Sequence, residues 1–130
     1  MDDYHTVIEG KTFKGNFSRF SGLRDDNAFG IGRNRESILI QSCFIDANGV
    51  AEGLKLSHSN NVTIRNTTVV GGYEDCVDIV EGSNIIFESC VFIADKTKHH
   101  FTIKSNSKNI KIIDCTFMES FKWVMDGALV

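Results

Sequence analysis

Asn84-Ile85-Ile86-Phe87-Glu88-Ser89-Cys90-Val91-Phe92 is one of four stretches of this chain built on a single pattern. The others are Ser37-Ile38-Leu39-Ile40-Gln41-Ser42-Cys43-Phe44-Ile45, Asn61-Val62-Thr63-Ile64-Arg65-Asn66-Thr67-Thr68-Val69 and Asn109-Ile110-Lys111-Ile112-Ile113-Asp114-Cys115-Thr116-Phe117, and in chain order their starts lie 24, 23 and 25 residues apart. Each carries two apolar residues at period 2, a small polar residue, a Cys or Thr, and a further apolar position. That order reads as strand, sharp bend, strand. The bend column is Ser42, Asn66, Ser89 and Asp114.

Between these stretches fall shorter alternating runs: Phe29-Gly30-Ile31, Leu54-Lys55-Leu56, Val77-Asp78-Ile79, Phe101-Thr102-Ile103 and Trp123-Val124-Met125. Three short strands per repeat, with like residues recurring in columns, predict an all-β chain folded as a right-handed parallel β-helix of about five coils, stacked ~4.8 Å apart. The columns Ile38/Val62/Ile85/Ile110, Ile40/Ile64/Phe87/Ile112 and Cys43/Thr67/Cys90/Cys115 become interior ladders. An antiparallel sandwich also spaces its strands regularly, but it gives no reason for same-type stacking. The reading is a single domain over residues 1–130, with residues 1–27 an irregular first coil or cap carrying Phe13, Phe17, Phe20 and Leu23, and residues 28–130 the regular coils. The end Asp126-Gly127-Ala128-Leu129-Val130 reads as uncapped, which points to end-to-end or trimeric self-association, or to continuation in a longer chain.

Composition narrows the partners. With 14 basic and 17 acidic side chains and a formal net charge of −3, the chain lacks the basic excess that neutralises a phosphate backbone, so nucleic acid is not expected. No apolar stretch is long enough to span a bilayer, and the acidic start lacks the features of a signal peptide. The chain as written reads as soluble, cytoplasmic or virion-associated. Cys43, Cys76, Cys90 and Cys115 form no C-x-x-C pair, and buried thiols are preferred over disulfides as their state. The Asn-x-Ser/Thr sequences at Asn16, Asn61 and Asn66 read as turn chemistry.

Aligning the shorter runs puts Asn27, Glu52, Asp75 and His99 in one column, Ala28, Gly53, Cys76 and His100 in the next, and Gly30, Lys55, Asp78 and Thr102 as outward strand residues. Glu74 immediately precedes Asp75. Acids stacked coil on coil perturb one another's pKa, and one raised carboxyl beside an ionised one is the arrangement acid–base hydrolysis needs. The same residues on a solvated face that blocks aggregation are the plainer alternative.

Asn48 to Ser105 resembles the pectin lyase-like superfamily, and more narrowly the polygalacturonase-type glycoside hydrolases. Those enzymes carry Asn-Thr-Asp-Gly on one coil, Asp-Asp-Cys-Val/Ile-Ala-Ile with Gly-Ser-Asn-Ile on the next, and Gly-His-Gly on the third. The matching stretches are Val50-Ala51-Glu52-Gly53, Glu74-Asp75-Cys76-Val77-Asp78-Ile79 with Gly82-Ser83-Asn84-Ile85, and Lys98-His99-His100-Phe101-Thr102-Ile103. The resemblance implies that Glu52, Glu74 and Asp75 stand where the catalytic carboxylates stand and His99 where the active-site histidine stands. Asp75 and His99 keep the family's residue type. The family's Arg-x-Lys motif falls on Val124-Met125-Asp126, which has neither cation.

Calcium-dependent pectate lyases of the same superfamily are the second resemblance. They hold Ca²⁺ with carboxylates four apart, the spacing of Glu74 and Asp78, and Lys122 precedes the next strand near their catalytic arginine. The expected substrate is an acidic polysaccharide, with Asp75, Glu52, Glu74 and His99 as catalytic candidates and Lys55, Asp78, His100 and Lys122 as substrate-binding candidates. No cofactor is expected, Ca²⁺ entering only under the lyase reading. The contrasting expectation is a non-catalytic glycan-binding or structural β-helix, such as a segment of a phage tail spike, tail fibre or adhesin.

Overall fold

The computed structural model describes residues 3–16, 26–104, 106–119 and 122–125, with the side chains of Val124 and Met125 outside the description. Within them run fifteen strands, β1 to β15 in chain order, forming three parallel five-stranded sheets. The first sheet holds β1 (Thr6–Glu9), β4 (Ile38–Gln41), β7 (Asn60–Arg65), β10 (Ser83–Glu88) and β13 (Lys108–Ile113). The second holds β2 (Thr12–Lys14), β5 (Phe44–Asp46), β8 (Thr68–Val70), β11 (Val91–Ile93) and β14 (Thr116–Met118). The third holds β3 (Asn27–Gly32), β6 (Glu52–Ser57), β9 (Asp75–Val80), β12 (His99–Ile103) and β15 (Trp123–Met125). Each strand pairs with the strand three places later, so the chain winds as a parallel β-helix of about four turns rather than about five. No helix among the described residues is long and apolar enough to cross a membrane.

Ordered pairing begins earlier than the sequence pattern suggests. Thr6 and Ile8 lie in register with Ile38 and Ile40, and Phe13 with Ile45; Phe13 stacks on Phe29 with ring centroids 4.2 Å apart. Phe17, Phe20, Leu23 and the end at 126–130 lie outside the described residues.

The bends have one cause. Ser42, Asn66, Ser89 and Asp114 all take left-handed backbone, with φ of 54, 49, 55 and 51°. Asn, Asp and short polar residues tolerate this region where β-branched ones do not. The amides of Ser42, Asn66 and Ser89 still donate to carbonyls one coil on, at 3.1, 3.0 and 3.0 Å. The turn therefore continues the ladder instead of interrupting it.

Inside, the expected ladders are in register: Ile38–Val62–Ile85–Ile110 and Ile40–Ile64–Phe87–Ile112. On one coil, Phe87, Phe92 and Phe101 arrive from the three sheets and fill the interior edge-to-face, with centroids 4.9–5.7 Å apart. All three are fully buried, as are the Leu54, Val77, Ile79 and Ile103 packed in the same core. Burial of each such side chain is worth roughly 1.5–3 kcal/mol. All four cysteines are free thiols, three buried and Cys115 half-buried; burial pushes the Cys76 thiol up to about 12. Removing one member of the aromatic trio leaves a cavity that stacked coils cannot collapse around, so Phe92→Ala lowers stability by about 3–5 kcal/mol in urea unfolding followed by circular dichroism.

Candidate active site

Strict alternation along β9 would send Asp75 to the side of Val77 and Ile79. It does not, because the strand enters through a corner: Cys76, Val77 and Ile79 all pack in the core, while Asp75 and Asp78 both line an outer cleft. Two successive inward residues reset the parity, and carboxylates three apart come to share one face. The register is the one the sequence alignment implies, Asn27 beside Glu52, Glu52 beside Asp75 and Asp75 beside His99. The turn carrying Glu74 is pressed against the coil below, where Glu74 and Asp75 donate their amides to the Ala51 carbonyl at 3.0 and 3.2 Å. A Cβ on Gly72 would fall inside the Val50 carbonyl, so glycine is what allows this turn to reach down over Glu52.

The result is a carboxylate cluster. Glu52, Glu74 and Asp75 each offer an oxygen within 4.8 Å of the other two, with Glu52 only 2% and Asp75 4% exposed. Burial is the largest cause that raises the Glu52 carboxyl to about 9, helped by a hydrogen bond shared with Glu74 and the charge of Asp78 and opposed by Lys55. Its Oε1 is buried with no partner among the described residues. Burial likewise raises Asp75, to about 6; a hydrogen bond donated by Thr102 Oγ1 to its Oδ1 and the nearby His99 pull it back, and Asp78 pushes it up. His99 Nδ1 lies 3.5 Å from the same Oδ1.

The cleft of about 210 Å³ is lined by Glu74, Asp75, Asp78, Lys98, His99, Thr102 and Lys104. Of the catalytic candidates, Glu74, Asp75 and His99 face it, and Glu52 supports it from behind. Asp78 is 3% exposed, and its Oδ2 takes ion pairs from Lys55 at 3.5 Å and Lys104 at 3.4 Å, leaving Oδ1 without a partner among the described residues. Lys98 and Lys104 are cleft residues that sequence reasoning missed. Lys104 carries a readable signal, since it lies two positions beyond the outward Thr102.

Two substrate-binding candidates are corrected. His100 is fully buried: its Nδ1 accepts the Lys122 amide at 3.1 Å, its Nε2 bonds the Met118 carbonyl at 2.7 Å, and its ring sits edge-on to Phe117. It faces inward because it shares the corner column of Cys76. The Lys122 ammonium donates to the Thr97 carbonyl at 2.8 Å and does not line the cleft. The calcium arrangement changes as well. Asp78 is held by two lysines and is not the second carboxylate of a Glu74 site, whereas among the described residues Glu52, Glu74 and Asp75 are the donors close enough together to hold a cation, hard oxygen ligands of the kind Ca²⁺ takes.

The raised carboxyls tie stability to pH. Each takes up a proton more readily in the folded chain than in the unfolded one, so folding is favoured at low pH and loses that advantage as pH climbs, between about 4 and 6 for Asp75 and between about 4.5 and 9 for Glu52. Thermal melts from pH 5 to 9 should show a falling Tm. Glu52→Gln, which keeps the shape and removes the charge, should flatten most of the fall above pH 6.5 and raise Tm at pH 9; a wild-type Tm that rises over this interval contradicts the assignment.

Comparison with known proteins gives a result at the level of the fold family. A search among curated proteins finds no match. A family model described as a right handed beta helix region matches residues 2–127, nearly the whole chain. The stacked parallel coils and this match together make the chain a member of the right-handed beta helix family.

Proposed function

We propose that the chain is a carbohydrate-active β-helix that binds an acidic polysaccharide in the cleft over β6, β9 and β12 and hydrolyses it. The observation that carries this reading is the unequal pair on the cleft wall and behind it: a buried Asp75 whose carboxyl is raised to about 6, and a Glu52 raised to about 9 beneath Glu74. A group poised near 6 holds a proton it can deliver to a leaving glycosidic oxygen and then take back, which is the task of a general acid.

Asp75 is assigned as that acid and the Glu74 carboxylate as the group that activates water. Glu52 is too buried to touch substrate. As a neutral acid it donates to Glu74 and fixes its orientation. The 4.8 Å limit holds between single oxygens of the three carboxyls and is not the group separation that distinguishes retaining (~5–5.5 Å) from inverting (~6.5–9.5 Å) glycosidases, so the outcome at the anomeric carbon is read from the product by NMR. Lys98 and Lys104 supply the positive side of the cleft, suited to the carboxylates of a uronate chain, and His99 lines it beside them. The lyase alternative receives less support, because Lys122 and Asp78 are both engaged elsewhere.

Incubation with polygalacturonate should release reducing ends, and Asp75→Asn should cut the rate by roughly 10²–10⁴. Because the proton on Asp75 is required, kcat/KM should fall about tenfold per pH unit above about 6. An ultraviolet-absorbing unsaturated product abolished by EDTA would replace hydrolysis by elimination. No product over the whole pH range would leave a non-catalytic scaffold.

A further inference from the structure

A second concave surface lies on a different face, over the sheet of β1, β4, β7, β10 and β13, with a volume of about 350 Å³. One wall is the segment ahead of β1. The Tyr4 hydroxyl donates to Thr63 Oγ1 at 3.1 Å, reaching past β4 to β7, and the His5 amide donates to Ser37 Oγ at 3.0 Å. The other wall is a column of exposed asparagines one coil apart, Asn61, Asn84 and Asn109, each in left-handed backbone with φ of 58, 54 and 55°. Two of these amides are held in a ladder that ends on the neighbour of the third: Asn109 Nδ2 donates to Asn84 Oδ1 at 2.6 Å, and Asn84 Nδ2 donates to Asn60 Oδ1, beside Asn61, at 3.1 Å. An amide has two N–H donors and two acceptor sites, so Asn84 keeps one of each after these bonds.

The chemistry of the groove selects among occupants. Its charged side chains are Asp3 and Lys111, one of each sign, so a polyanion or nucleic acid finds no positive track. Its apolar lining is Ile86 and the Tyr4 ring, without the cluster of apolar anchors that a protein partner buries. What remains is a row of paired donors and acceptors repeated every ~4.8 Å, beside one aromatic ring. Neighbouring hydroxyls of a pyranose present that same pairing.

We infer that this groove binds a neutral, hydroxyl-rich oligosaccharide, with the Asn61, Asn84 and Asn109 amides on successive hydroxyl pairs and Tyr4 against a sugar face. The site is separate from the carboxylate cleft and does not depend on the hydrolytic reading. It gives the chain two glycan surfaces of opposite character, one charged and one neutral.

The test is binding of the full chain to an array of neutral oligosaccharides (β-glucan, xylan, mannan and galactan hexamers) with oligogalacturonate for comparison, followed by calorimetry on the best neutral probe. A neutral probe should bind with affinity insensitive to salt between 50 and 500 mM, a range over which the screening length falls about threefold and binding of a polyanion would weaken. Tyr4→Ala and Asn84→Gly should each weaken binding at least tenfold, while Asp75→Asn leaves it unchanged. Glycine at 84 keeps the left-handed backbone while deleting the amide, and circular dichroism confirms that the coil is intact. Absence of any neutral binder, or binding unaffected by both variants, overturns the inference; binding lost in Asp75→Asn would assign the sugar to the cleft instead. Failure of hydrolysis alone touches only the cleft.

Discussion

Every coil of this molecule must hand its backbone N–H and C=O groups to the coils above and below in register, and almost everything else follows from that. The requirement explains why 130 residues contain no proline, since each proline would delete a donor from a ladder. It explains the left-handed corners, which turn the chain while their amides still reach the next coil. It also forces like to stack on like: a side chain meets the residue one repeat later, so Ile packs on Ile and a Phe interrupts the column where three rings can fill the centre together.

The same stacking that builds an apolar core imposes an electrostatic cost when the column is acidic. Glu52 and Asp75 are paired neighbours on adjacent coils, and they cannot spread apart as side chains on a loop would. The chain relieves the repulsion in three different ways: Glu52 keeps its proton, Asp75 receives the Thr102 hydroxyl and lies beside His99, and Asp78 is clasped by two lysines. A cluster of this kind stores unfavourable free energy on a scaffold made rigid by its ladders, and such storage is characteristic of sites that bind or react.

Much of the fold was legible because its signal is repeated. The 23–25-residue period and the bend column from Ser42 to Asp114 recur coil after coil, so the pattern corrects for any one irregular member and sets the register of Glu52 with Asp75 and of Asp75 with His99. Features present once were not legible in that way. β1 and β2 lie in a stretch with no second copy of its spacing, which by sequence alone reads as an irregular first coil or cap. His100, a substrate-binding candidate beside His99, instead shares the inward column of Cys76, where the strand turns two successive residues, Cys76 and Val77, into the core. Lys122 is a candidate only through the pectate lyase resemblance, and its ammonium reaches back to the Thr97 carbonyl. Lys104 continues the outward period of Thr102 and was readable in principle, whereas Lys98 lies ahead of its strand, where no period marks it.

The hidden proton on Glu52 has an effect far from the cleft. A carboxyl raised to about 9 stays neutral near pH 7, so the folded chain is one unit less negative than its formal −3. Unfolding releases that proton to the buffer. The native and denatured chains therefore differ in electrophoretic mobility and isoelectric point as well as in shape, and the heat of unfolding at neutral pH includes the ionisation heat of whichever buffer accepts the proton.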